Sequence, residues 1–242
     1  LIMKKIFIKL AKILGFELID QNKFTSPTLN KELNEDLSKF NKQSIVLPLG
    51  EVEISRKVKS LIIIFRTNTK VEIWDQNKKR LFEYPKIEYA CRSLNSLIKS
   101  INFLKKKLPE INLKLIVLDD HSSNENLDKF KKILEQVKNS EIILLDHSKN
   151  KLKIKKQKSK ETFSNLASLF SSFEIGKNKG DDLVFFIEDD YLHFETMLEE
   201  MISTFQRISS QLKKDIFMCP SDYPYLYMNN DKTNILIGSK RH

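Results

Sequence analysis

Leu183-Val184-Phe185-Phe186-Ile187-Glu188-Asp189-Asp190-Tyr191-Leu192-His193 is the stretch whose reading decides the fold. Five apolar residues run directly into three carboxylates. A continuous apolar run with β-branched and aromatic members reads as a strand buried on both faces. The acids then fall at its C-terminal end, the edge of an open α/β sheet at which ligands bind. Adjacent carboxylates repel, and a divalent cation with hard oxygen ligands is the natural counter-charge. An acidic turn leading into the following helix is the competing reading, since Asp near a helix N-terminus is common.

Working outward, strands and helices alternate. Lys59 to Phe65 is a short apolar run that exits into Arg66-Thr67-Asn68-Thr69. Ile87 to Leu104 carries Ile87, Cys91, Leu94, Leu97, Ile98 and Ile101 on one helical stripe, and Leu113 to Leu118 is the next strand. It runs into Asp119-Asp120-His121-Ser122-Ser123. Asn126 to Val137 reads as a helix, and Glu141 to Leu145 as a strand ending at Asp146-His147. Lys149 to Lys160 is too polar for a core and reads as a mobile surface loop. Thr162 to Ile175 is a helix, Gly176 to Gly180 a turn, and Glu195 to Leu212 a long helix. Short strands are expected at Ile216 to Cys219 and Ile235 to Ile237. Such alternation implies a parallel α/β sheet. Polar or acidic clusters follow three of the strands, and their recurrence at one edge points to a ligand site and an enzyme.

The 242 residues suffice for one large domain or a domain plus an extension. We expect a helical N-terminal extension over 1–57 and the sheet domain over 58–242. Within the extension, Met3 to Leu14 is an amphipathic helix with Gly15 at its C-cap, and Leu29 to Phe40 a second small helix. The first can dock on the domain or lie in a membrane interface through residues 3–14, its lysines toward anionic headgroups. Docking is the simpler reading. Net charge is +10, which suits an anionic ligand, an anionic membrane or nucleic acid and by itself chooses none. Cys91 and Cys219 are far apart and form no metal-type pair, so a reducing cytoplasm is the default. No apolar run reaches the roughly 20 residues of a membrane span. The opening Leu1-Ile2-Met3 and the end at His242 suggest a fragment with its natural start at Met3.

Val117-Leu118-Asp119-Asp120-His121-Ser122-Ser123 resembles the Val-Val-Asp-Asp-Gly-Ser motif of GT-A glycosyltransferases, particularly the family-two-like group. Gly180-Asp181-Asp182 and the strand to Glu188-Asp189-Asp190 resemble that family's Gly-Asp-Tyr, apolar strand and Asp-x-Asp segment. Leu61 to Asn68 matches its first strand, and order and spacing hold from Lys59 to His242. The resemblance implies a GT-A, Rossmann-like, mostly parallel sheet flanked by helices. It implies a glycosyltransferase of cell-surface polysaccharide biosynthesis that acts in the cytoplasm or at the inner face of the membrane. The donor would be a nucleotide-diphospho-sugar and the acceptor a glycan or lipid-linked precursor; nucleic acid is not expected as a partner.

The implied roles follow residue by residue. Asp119 and Asp120 contact base or ribose, and Arg66 and Thr67 line the nucleotide pocket. Asn165 faces the donor from its helix, and Asp189 belongs to the nucleotide-sugar site or serves the turn. Asp190 binds Mg2+ or Mn2+, and Glu188 binds the ion through water or holds the ribose. The catalytic base is expected beyond His242, with Asp222 as the alternative; His242 itself matches a late metal-binding histidine. His121 stands where the family has Gly, which implies a changed loop. Trp74, Phe82 and Tyr84 read as surface packing or a sugar-stacking platform, His147 as a solvated loop residue and His193 as a helix cap. A sugar nucleotidyltransferase is the enzymatic rival, but Phe65 to Lys70 lacks the glycine of a phosphate loop. A basic nucleic-acid- or membrane-binding module is the non-enzymatic rival, and it leaves the acidic strand ends unexplained.

Overall fold

The structure, a computed structural model, describes residues 2–16, 18, 53–70, 84–150, 154 and 159–220. The expected helix at 29–40, the ambiguous segment 71–83 with Trp74 and Phe82, Asp222, the strand at 235–237 and His242 lie outside the described residues. The chain divides into two compact units. One runs from Val58 to Glu199, and the other joins 1–57 to 200–242.

The first unit holds four parallel strands: β1 (Ser60–Thr67), β2 (Asn112–Asp119), β3 (Ser140–Leu144) and β4 (Leu183–Glu188), in the order β3-β2-β1-β4. Three helices connect them: α2 (Lys86–Lys107), α3 (Asn124–Leu134) and α4 (Lys160–Lys179). Parallel crossovers are right-handed. The steps β1 to β2 and β2 to β3 run one way across the sheet, so α2 and α3 share a face. The step from β3 back past β1 to β4 reverses direction and places α4 on the other. This is a doubly wound, Rossmann-like α/β arrangement, and its direction switches between β1 and β4.

Packing follows side-chain alternation. Ile62, Ile64, Ile116 and Leu118 form a buried cluster with Leu145, Ile154 and Ala167, joined by Phe163, Leu166, Ile175 and Val184. Leu61, Ile63, Phe65, Leu115 and Val117 point to the opposite face and are also buried. On α2 the stripe Ala90, Leu94, Leu97, Ile98, Ile101 and Leu104 is buried. Lys105, Lys106 and Lys107 close that helix, where cations complement the dipole. Ser123 and Ser159 cap α3 and α4, accepting from Asn126 N and Thr162 N at 3.3 and 3.1 Å.

Four expectations need correction. β4 lies at the edge of the described sheet and is only partly buried, with Phe186 exposed. Gly176 is not in a turn but inside α4. A Cβ there would meet Val184 Cγ1 at 3.0 Å and Phe186 Cζ at 3.1 Å, so close helix–strand packing is what the glycine allows. Residues 215–220 form no strand, since no described strand pairs with them. The lysine-rich segment is anchored at both Asn150 and Ile154, which are buried. Asn150 Nδ2 donates to Ser171 Oγ at 2.9 Å, and the residues 151–153 and 155–158 lie outside the description.

In the second unit, α1 (Ile2–Ile13) exposes Met3, Ile6, Phe7, Leu10 and Ile13. Helix α5 (Met197–Leu212) begins in the first unit and continues into the second. There Arg56 stacks over the Phe205 ring, its Cζ 5.3 Å from the centroid, and pairs with Asp215 at 2.8 Å. Among the described residues no helix is long and apolar enough to cross a membrane.

Candidate functional site

The strand registers bring the acidic and polar clusters to one edge. Thr67 lies beside Asp119, and Arg66 beside Glu188. Thr67 is the last residue of β1, Asp119 of β2 and Glu188 of β4, so all three clusters open at the C-terminal side of the sheet. The β1–β4 switch point lies between Arg66 and Glu188, which form an ion pair across it.

Two hydrogen-bonded nodes occupy this edge. The first is Asp189, which is buried. It accepts from Thr67 Oγ1 at 2.8 Å, from Asn68 N at 3.4 Å and from Lys86 Nζ at 2.6 Å. Lys86 opens α2, where a cation is unfavourable to the helix dipole; the carboxylate opposite offsets that. Asp189 is therefore far more than a turn former. Asp190, the next residue, is exposed.

The second node is Asp120, also buried. Its Oδ1 lies 2.7 Å from His121 Nδ1 and 2.8 Å from His147 Nε2. Its Oδ2 accepts from Asn68 Nδ2 at 3.1 Å and from Ser164 Oγ on α4. The His147 ring stands edge-on to His121 and to Phe163, at 4.7 and 5.7 Å between centroids. His121 has φ +60, the left-handed conformation that favours glycine. The histidine takes up a glycine-like backbone, and its Nδ1 lies against Asp120 Oδ1.

Asp119 is fully buried. Its Oδ2 accepts from Ser122 N at 2.9 Å, and its Oδ1 has no hydrogen-bond partner among the described residues. Burial pushes its carboxyl above the usual carboxylate range, against the pull of the Ser122 hydrogen bonds. The turns after β1 and β2 are tied together by Thr69 Oγ1, which donates to Ser122 Oγ at 2.7 Å and accepts from Asn126 Nδ2 at 3.0 Å.

The structure thus brings Arg66, Thr67, Asp119, Asp120, Glu188 and Asp189 to one edge. Asn165 is exposed on α4, and its neighbour Ser164 is the residue that reaches Asp120. Sequence reasoning missed Lys86, Ser164 and His147. His147 carried a usable signal: like the acids, it follows a strand at the same edge. Lys86 and Ser164 lie at helix positions that no motif marks. His193 is no side-chain cap: its backbone N donates to Ser96 Oγ at 3.0 Å, and its Nε2 is buried without a partner among the described residues. Tyr84 is exposed with Arg92 over its ring at 5.2 Å.

Among the described residues, one group has the composition and spacing to hold a metal ion: Asp120, His121 and His147. Glu188 and Asp190 are solvent-facing oxygen donors, with Glu188 paired to Arg66. No protein-family model, curated protein or solved structure matches the chain.

Proposed function

We propose that the protein transfers a sugar from a nucleotide-diphosphate donor to a glycan or lipid-linked acceptor. The observation that carries this reading is the convergence of Asp119-Asp120 and Glu188-Asp189-Asp190 at the carboxyl edge of a doubly wound sheet. That edge, at the switch point, is where open α/β sheets bind nucleotides. The two acidic motifs and their spacing are those of the GT-A resemblance.

In this reading Arg66 and Thr67 line the nucleotide pocket with Asp120, and Asp119 fixes the loop through Ser122 N. Glu188 and Asp190 would hold Mg2+ or Mn2+. Their donor set fits: such ions commonly take one or two carboxylates together with substrate phosphate oxygens. Arg66 pairs with Glu188 Oε1, so an ion held by that same oxygen would compete with the pair. The ion's chemistry is to neutralise the diphosphate as it leaves. Arg66 would offer a second positive charge at this edge to a bound diphosphate. A carboxylate then deprotonates the acceptor hydroxyl. A sugar nucleotidyltransferase remains the alternative enzyme on this sheet, disfavoured by the lack of glycine from Phe65 to Lys70.

Asp190→Ala tests the ion assignment. A nucleoside diphosphate should raise the melting temperature of the wild type in the presence of Mn2+, and the Mn2+-dependent part should vanish in the variant. An unchanged shift in Asp190→Ala would remove Asp190 from the site.

A further inference from the structure

We propose that Asp120, His121 and His147 form a binding site for a divalent transition-metal ion of the Zn2+ or Co2+ class, separate from the Glu188–Asp190 carboxylates. The site shares Asp120 with the proposed nucleotide pocket but does not rest on the glycosyl-transfer reading. Two chain segments deliver its ligands: the turn after β2, which carries Asp120 and His121, and the 3-10 turn His147–Asn150 after β3, which carries His147. Asp120 Oδ1, His121 Nδ1 and His147 Nε2 lie within 4.8 Å of one another.

Each donor is held in the way a ligand must be. Asn68 and Ser164 engage Asp120 Oδ2, so the carboxylate is oriented with Oδ1 toward the two rings. Carboxylate partners of this kind orient metal ligands and tune affinity. Phe163 packs against the His147 ring. His121 is held at φ +60, the left-handed region that disfavours a residue with a Cβ. In exchange its ring reaches the same oxygen as His147. A glycine there would adopt that backbone freely but could not ligate.

Donor chemistry selects the ion. Mg2+ and Ca2+ take all-oxygen shells, whereas two imidazoles and one carboxylate suit Zn2+, Co2+ and neighbouring first-row ions. Tetrahedral arms of about 2.0–2.2 Å separate ligands by roughly 3.3 Å. The observed 2.7 and 2.8 Å contacts must therefore open by about half an ångström. His121 lies in the turn after β2 and His147 opens the short 3-10 helix His147–Asn150, both outside the sheet and the α-helices. On binding, each imidazole presents a lone pair at the nitrogen now facing Oδ1, with its proton on the other ring nitrogen, and no electron changes hands. The His121 side chain is 60% exposed, so the fourth position faces solvent and can take water or a phosphate oxygen.

The test is Co2+ titration of the full chain without nucleotide, followed by visible absorption, with Zn2+ competition. Wild type should bind one Co2+ that Zn2+ displaces. His121→Gly and His147→Ala should each weaken binding by about 100-fold or more, and Ser164→Ala by about 10-fold. His121→Gly is chosen because it relaxes the backbone, so a folding defect cannot mimic ligand loss. Asp190→Ala should bind Co2+ like the wild type. Absence of Co2+ and Zn2+ binding to the wild type, equal binding by His121→Gly, or loss on Asp190→Ala would each overturn the proposal. Asp120 is shared with the proposed nucleotide pocket, but the titration is read without nucleotide and on His121→Gly and His147→Ala, which leave Asp120 in place, so failure of the metal site is distinguishable from failure of the nucleotide reading.

Discussion

His193 illustrates how burial acts on a single titratable group. Its ring is largely desolvated, and that holds its pKa down at about 4 against the ordinary 6.5. A histidine with a depressed folded-state pKa favours the neutral form. Its contribution to stability is therefore present above about pH 6.5 and is lost as pH falls toward 4. Urea denaturation at pH 7 and pH 4.5 should show a smaller acid loss in His193→Gln than in wild type. The difference should be on the order of 1–2 kcal/mol, less than full conversion of the shift because the ring is partly exposed. Equal acid losses would contradict the burial argument. At this same scale the sequence was only partly informative. Asp119, Asp120 and Glu188 are marked by their place after apolar runs, whereas the partners that orient them are not. Lys86 meets Asp189 from the start of a helix 103 residues away in the chain, and Ser164 meets Asp120 across 44. Nothing in local composition encodes such pairs; the crossover geometry does.

At the scale of elements, strand identity was legible because β-branched and apolar runs such as Leu61 to Phe65 leave no helical alternative of comparable burial. Termini were displaced by a residue or more: β1 continues through Arg66 and Thr67, polar residues that pairing with β2 and β4 keeps extended. The segment Gly176 to Gly180 was misread because glycine signals a turn until the neighbouring strand is known. Gly180 N donates to Gly176 O at 2.9 Å, and a Cβ on Gly180 would lie 2.6 Å from both Gly176 O and Val184 Cγ2. A backbone atom at that distance cannot yield cheaply. Gly180→Ala should therefore lower unfolding free energy by about 1–3 kcal/mol. Gly176→Ala, whose neighbours are side chains and which gains helix propensity, should stay within about 1 kcal/mol of wild type. Chemical denaturation of the two variants checks the order; the reverse order would contradict this account of α4 against β4.

For the whole molecule, the excess of positive charge and the exposed face of α1 point the same way. Met3, Ile6, Phe7, Leu10 and Ile13 are exposed, and Lys4, Lys5 and Lys9 are exposed beside them. An apolar face flanked by lysines suits an anionic membrane surface. We propose that α1 makes this peripheral contact, which would bring the protein to lipid-linked acceptors. Sedimentation with vesicles containing anionic lipid should capture the chain and lose it when Phe7 and Leu10 are both replaced by Ser. Capture that is equal on neutral vesicles, or unaffected by the double substitution, would contradict it. The parallel α/β sheet flanked by helices was legible from the alternation of strands and helices; the strand order β3-β2-β1-β4 was not.

The central claim is that the carboxyl edge of β1, β2 and β4 binds a nucleoside diphosphate as the departing half of a sugar donor. Its most direct test is a thermal-shift panel of UDP, GDP, CDP and dTDP, each with and without Mn2+. The account predicts that one base is preferred, that Mn2+ enlarges its stabilisation, and that Asp120→Ala abolishes it. A panel in which no nucleoside diphosphate raises the melting temperature, with or without Mn2+, would contradict the assignment.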